Sequence, residues 1–119
     1  MDNKEFGKQL EIRTKKFAIS IIKLSISLPV IPEGKVVKYQ LAKAGTSIGA
    51  NYREANRSRS KADFSNKIKI CESEASETSY WLEIIDELGW INSEVIKATL
   101  TESNELLAIF TSISKNLKH

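Results

Sequence analysis

Glu74 and Glu77 stand three residues apart, a spacing that puts both carboxylates on one side of a helix. Carboxylate-bridged metal sites in helical bundles use such glutamates, but pair them with Glu-x-x-His motifs. The one histidine is His119, far from the pair in sequence, so no metal is expected. Cys71 is the only cysteine. That excludes a disulfide framework and a multi-cysteine metal site, and a lone thiol among apolar residues reads as a small core side chain. No glycine-rich loop is placed to cradle phosphate, and no serine, histidine and aspartate stand in a hydrolytic arrangement. An enzyme is therefore the least expected class: the sequence offers no catalytic residues, no cofactor and no small-molecule substrate.

Basic residues carry the remaining chemistry. Arg53, Arg57, Arg59 and Lys61 cluster around Asn56-Arg-Ser-Arg-Ser60, and Lys8, Lys15, Lys16 and Lys23 recur along an earlier segment. Mobile cations of this kind are what contact with phosphate requires. Aromatic residues do not interleave with them, so stacking on bases is not indicated. The charge is uneven: residues 1–59 hold twelve Lys/Arg against five Asp/Glu, a balance of +7, whereas residues 60–119 hold six against ten, a balance of −4. The basic half suits RNA, DNA or an acidic protein surface. The competing account is that the halves neutralise each other within a bundle or between subunits.

A third set of polar residues falls on lines that should be partly buried. Arg13 interrupts the apolar series Phe6, Leu10, Phe17, Ile21, Leu24, where a guanidinium is costly unless paired. Glu74 and Glu77 interrupt a line from Ile70 to Trp81, and Ser47, Asn51 and Glu54 flank an apolar stripe. These positions predict a structural network of Arg13, Asn51, Glu54, Glu74 and Glu77, with Glu77 or Glu54 as the partner of Arg13, fixing register between helices or subunits.

The elements that position these residues are helices. Pro29 and Pro32 in Leu28-Pro-Val-Ile-Pro-Glu-Gly34, then Asn56–Ser60, then Gly89-Trp-Ile-Asn-Ser93 are the breaks. Ser60 suits an N-cap with Asp63 three residues on, Gly89 suits a helix C-terminus, and Ser93 suits another N-cap. The segments between them predict helices at about 4–27, 36–56, 61–88 and 93–116. Phe64, Ile68, Cys71, Ala75, Thr78, Leu82 and Ile85 step by four and three as a coiled-coil-like seam. Leu41, Ala44, Ile48, Tyr52 and Ala55 form a second line, and Ile96, Leu100, Ser103, Leu107, Phe110 and Leu117 a third. Gly45-x-x-x-Gly49 signals close helix approach. Short connections favour antiparallel neighbours, hence an all-α, antiparallel up-down four-helix bundle in a single domain spanning 1–119.

The first helix is apolar on two sides. Opposite its core stripe run Ile12, Ile19, Ile22 and Ile26, and large exposed apolar patches are uncommon on monomers. Ile70, Trp81, Ile84 and Leu88 repeat the feature on the third helix. Both predict a homo-oligomer with the isoleucine stripe as interface; the alternative is a thick bundle with the first helix central. The longest apolar stretch, Phe17 to Val30, is broken by Ser20, Lys23, Ser25 and Ser27, too polar for a membrane span, and Met1-Asp2-Asn3-Lys4 lacks a signal-peptide layout. A cytoplasmic protein is the expectation.

Three motifs in order, Ser47-Ile-Gly-Ala-Asn-Tyr-Arg-Glu-Ala55, Ser60-Lys-Ala-Asp-Phe64 and Glu74-Ala-Ser-Glu-Thr-Ser-Tyr-Trp-Leu82, give the chain a resemblance. Over about residues 10–115 it resembles the small bacterial four helix bundle protein family, also called the 23S rRNA intervening-sequence protein family, because some members are encoded inside intervening sequences of 23S rRNA genes. The resemblance implies an up-down bundle and a ring-shaped homopentamer. The accessory protein of diversity-generating retroelements is distantly similar, and there a positively charged pentamer surface engages nucleic acid and a reverse transcriptase. The family has no established activity, so no catalytic residue carries over. The expected function is that of a non-enzymatic, oligomeric bundle binding nucleic acid or ribonucleoprotein through a basic surface. The alternative is a protein-interaction scaffold without nucleic-acid contact.

Overall fold

Four helices account for nearly all of the computed structural model, which describes residues 2–117. They are α1 (Asn3–Ile26), α2 (Pro32–Asn56), α3 (Lys61–Leu88) and α4 (Ser93–Asn116). The start of α2 lies four residues before the expected 36, because Pro32 occupies the first turn, where its missing N–H costs nothing and its fixed φ suits the helix. The other bounds fall within a residue of expectation. Ser60 Oγ accepts from the N–H of Asp63 at 3.0 Å. The N-cap of α4 is Asn92 rather than Ser93: its Oδ1 accepts from the N–H groups of Glu94 at 2.9 Å and Val95 at 3.4 Å. Asparagine reaches both of these orphan donors from one position, and Ser93 becomes the first helical residue. Gly89 ends α3 at φ 67°.

Each helix turns back on its predecessor, so α1 and α3 run one way and α2 and α4 the other. The buried seam of α3 runs without a slip through Ile68, Cys71, Ala75, Thr78, Leu82 and Ile85. The α2 line of Leu41, Ala44, Ile48, Tyr52 and Ala55 is wholly buried. In α4 Ile96, Ser103 and Phe110 are buried as expected, but Leu106 rather than Leu107 is the fully buried leucine between them, because Leu107 falls at the outer edge of the α3–α4 contact, in a groove beside Ser73, Ser76 and Tyr80. The Tyr52 and Phe110 rings meet edge to face at 5.4 Å between α2 and α4. Phe6, expected on the core stripe, is exposed near the start of α1.

The four sides of the bundle are not equal. Extensive contacts join α1 to α2, α2 to α3 and α3 to α4, whereas α1 and α4 meet only sparsely. Two glycines allow the tight α1–α2 side. A Cβ on Gly45 would lie 2.8 Å from Cγ1 and Cγ2 of Ile21, and one on Gly49 would lie 3.0 Å from Oγ1 of Thr14. The molecule extends 44 × 26 × 22 Å. Among the described residues no helix is long and apolar enough to cross a membrane, and no group of three or more His, Cys, Asp or Glu could hold a metal ion.

Candidate nucleic-acid interface and open helix faces

The helical frame gathers cations at one end of the bundle, where α1 begins, α2 ends, α3 begins and α4 ends. Arg57 caps the C-terminus of α2, and Arg59 and Lys61 lead into α3; all three are exposed. No carboxylate among the described residues comes within salt-bridge distance of them. A cleft of about 510 Å³ opens beside them, lined by Ser58, Arg59, Ser60, Lys61, Phe64, Ser65 and Leu117. The positive end of the α3 dipole lies at the same place and favours an anion. Arg53 sits one turn back on α2, and its Nε lies 3.8 Å from Glu11 Oε1. Asn56 Nδ2 donates to the other oxygen of Glu11 at 2.8 Å. Arg53 is therefore the least available of the four.

Only part of the α1 lysine series joins this end. Lys8 lines a cleft with Lys4, Gly7 and Asn56, and Lys15 lines the α1–α2 groove with Arg53. Lys16 instead faces the α1–α4 groove, and Lys23 lies in the last turn of α1, towards the opposite end. The cationic surface is an end patch continued along α1–α2, not a stripe along the whole of α1.

The expected polar network is not formed between the helices of the protomer. Arg13 turns to α4, not to α2 or α3. Its Nε donates to Glu102 Oε2 at 2.7 Å, and its Nη2 donates to Glu102 Oε1 at 2.7 Å and Glu105 Oε1 at 3.0 Å. Arg13 lies on the α4 flank of the α1 core stripe, and Glu102 and Glu105 stand one turn apart on the facing helix. That acidic pair around the buried Ser103 was the missed signal. The side chains are 37% and 33% exposed for Arg13 and Glu102, so the fork–fork pair closes the sparse α1–α4 side at its surface and is not a buried charge. The hydrogen bonds to Glu102, above all, hold the guanidinium protonated beyond its already high range. Asn51 donates to the carbonyl of Ser47 at 2.8 Å within α2. Glu54 is exposed at the α1–α2 groove, and Glu77 accepts from Trp81 Nε1 at 3.2 Å within α3. Glu74 is half-buried; loss of water raises its carboxyl above the ordinary range, Glu77 adds to the rise, and Lys43 opposes it.

The isoleucine stripe of α1 is uncovered in the protomer: Ile12 is 63%, Ile19 46%, Ile22 45% and Ile26 67% exposed. On α3, Ile70 and Leu88 are exposed, and Trp81 and Ile84 are half-buried. Cys71 is buried and donates to the carbonyl of Ile48 at 3.5 Å. Burial pushes its thiol up to about 12, so it is neither nucleophile nor ligand at neutral pH.

The 23S rRNA-intervening sequence protein family matches residues 8–112. The chain belongs to that family. Among solved structures it is similar to a protein of unknown function from the S23 ribosomal protein family of Bacteroides thetaiotaomicron, with 37% identity and a TM-score of 0.79 over 88% of this chain and 97% of that one. The comparison with curated proteins found no match. This member of the 23S rRNA-intervening sequence protein family thus shares its four-helix fold with a relative described as of unknown function.

Proposed function

We propose that this protein is a non-enzymatic, cytoplasmic homo-oligomer, pentameric as the family resemblance implies, that binds nucleic acid or ribonucleoprotein through the cationic end of its bundle. The observation that carries the reading is the convergence there of Arg57, Arg59 and Lys61, exposed and with no carboxylate within salt-bridge distance among the described residues, beside the N-terminus of α3. Lys4 extends the patch. These groups recognise phosphate, not base identity. Each protomer offers a small patch, and several copies in one particle multiply weak contacts through avidity.

Gel retardation of RNA and DNA at low salt tests the reading. Retardation of both, with little sequence preference and steep loss of affinity on adding salt, is the expected result. The exposed isoleucine face favours a second reading, a protein-interaction scaffold. An assembled protein that fails to retard either nucleic acid at low salt overturns the first reading and leaves the second.

A further inference from the structure

Two outward-facing seams, on α1 and α3, match in register and differ in charge. On α1, Lys8, Ile12, Lys15, Ile19, Ile22 and Ile26 advance by four, three, four, three and four residues. On α3, Ile70, Glu74, Glu77, Trp81, Ile84 and Leu88 advance by the same steps. Each is an a/d line of the kind that packs knobs into holes. The α1 line is exposed throughout, and the α3 line is exposed or half-buried at every position. The α1 line carries only cations among its apolar residues, and the α3 line only carboxylates. Neither Glu74 nor Glu77 has a cation within salt-bridge distance among the described residues. In both lines the charged residues fall in the first half and an unbroken apolar run fills the second.

We infer that the α1 seam of one copy packs in parallel against the α3 seam of a second copy, with Lys15 meeting Glu77, with Glu74 opposite Ile12 and about one turn from both Lys8 and Lys15, and with Ile19, Ile22 and Ile26 meeting Trp81, Ile84 and Leu88. A parallel pairing keeps charged half on charged half and apolar half on apolar half. It is also what rotation about an axis along the bundle produces, because α1 and α3 run in the same direction within each protomer. Pairing like with like in parallel would set lysine against lysine or glutamate against glutamate, which costs several kcal/mol across an interface, and pairing like with like antiparallel would bury the charged residues against the apolar run without a partner. The contact is therefore heterologous: each copy offers one seam and receives the other, and repetition closes a ring if the rotation allows. The inference rests on the homo-oligomer reading and names the two surfaces that make the oligomer.

Light scattering on two variants decides it. Ile19→Glu breaks the α1 seam and Trp81→Glu the α3 seam, and each alone is expected to be monomeric. Mixed in equal amounts, they are expected to give a particle of two subunits and nothing larger, since one intact α1 seam and one intact α3 seam remain. A single variant that still dimerises shows that like faces pair and overturns the inference, as does a Trp81→Glu protein that assembles like the parent. A parent chain that scatters at 13.4 kDa overturns the oligomer reading as well. Trp81 is half-buried, so the exposed pair Glu77→Lys and Lys15→Glu guards against misfolding. Each alone is expected to raise the dissociation constant by roughly tenfold or more, and the two changes in one chain to restore it. Failure of that rescue in folded protein also overturns the inference.

Discussion

A methyl group at Gly45 would sit 2.8 Å from two carbons of Ile21, a fully buried β-branched side chain that cannot turn aside. Alanine is the better helix former by about 1 kcal/mol, yet overpacking a tight contact costs about 1–3 kcal/mol. Gly45→Ala is therefore expected to destabilise the chain, read as a lower urea midpoint with an unchanged slope. Arg13 makes a contrasting case. A guanidinium on an apolar stripe reads in the sequence as a buried charge, and removing its partner would cost about 3–5 kcal/mol. The structure leaves both sides of the pair a third or more exposed, so solvent screens it, and Arg13→Ala is expected to cost about 1 kcal/mol. Urea unfolding of that variant separates the two values.

Glu74 gives α3 a pH dependence with a definite sign. In the folded protomer its carboxyl is raised above the ordinary 4.5, first by loss of water and then by Glu77, with Lys43 opposing. The folded chain thus holds this proton more tightly than the unfolded chain. Below the unfolded value the group costs nothing. As pH rises from about 4.5 through the raised folded value, stability is lost, and the cost persists at neutral pH. Glu74→Gln removes that cost. In a dissociated background such as Ile19→Glu, Glu74→Gln is expected to melt higher at pH 7 and to lose its advantage near pH 4, followed by circular dichroism. In the assembled parent, lysines of a second copy would favour the carboxylate, and the gain is expected to shrink or reverse.

Separation of charge along the bundle decides what the whole molecule can grip. Arg57 and Arg59 stand at the cationic end, clear of the core and of the α1 and α3 seams. Arg57→Ser with Arg59→Ser is expected to leave melting and particle size unchanged, weaken nucleic-acid binding, and flatten the dependence of log affinity on log salt. Every phosphate that is no longer neutralised reduces that slope by about 0.7 for single strands or 0.9 for duplex. A double variant with the parent's affinity and salt slope removes these two residues from the interface.

The four helices were legible along the chain because their causes are local. Pro29 and Pro32 forbid continuation, Ser60 and Gly89 supply caps, and the four–three rhythm from Ile68 to Ile85 needs only the pitch of one helix to place it in the core. The two-sided character of α1 was legible for the same reason. Tertiary structure alone decided the partner of Arg13, since periodicity gives the direction of a side chain on its own helix but not which helix stands opposite. It alone showed that the α1–α4 side is sparse and closed by Glu102 and Glu105, and that within the protomer Asn51 and Glu77 bond to groups of their own helices. It alone sorted the lysines of α1, leaving Lys8 and Lys15 near the cationic end and turning Lys16 to α4. One-helix geometry fixes a residue's azimuth, whereas its charge environment depends on neighbours nearly a hundred residues away, which only packing brings within reach.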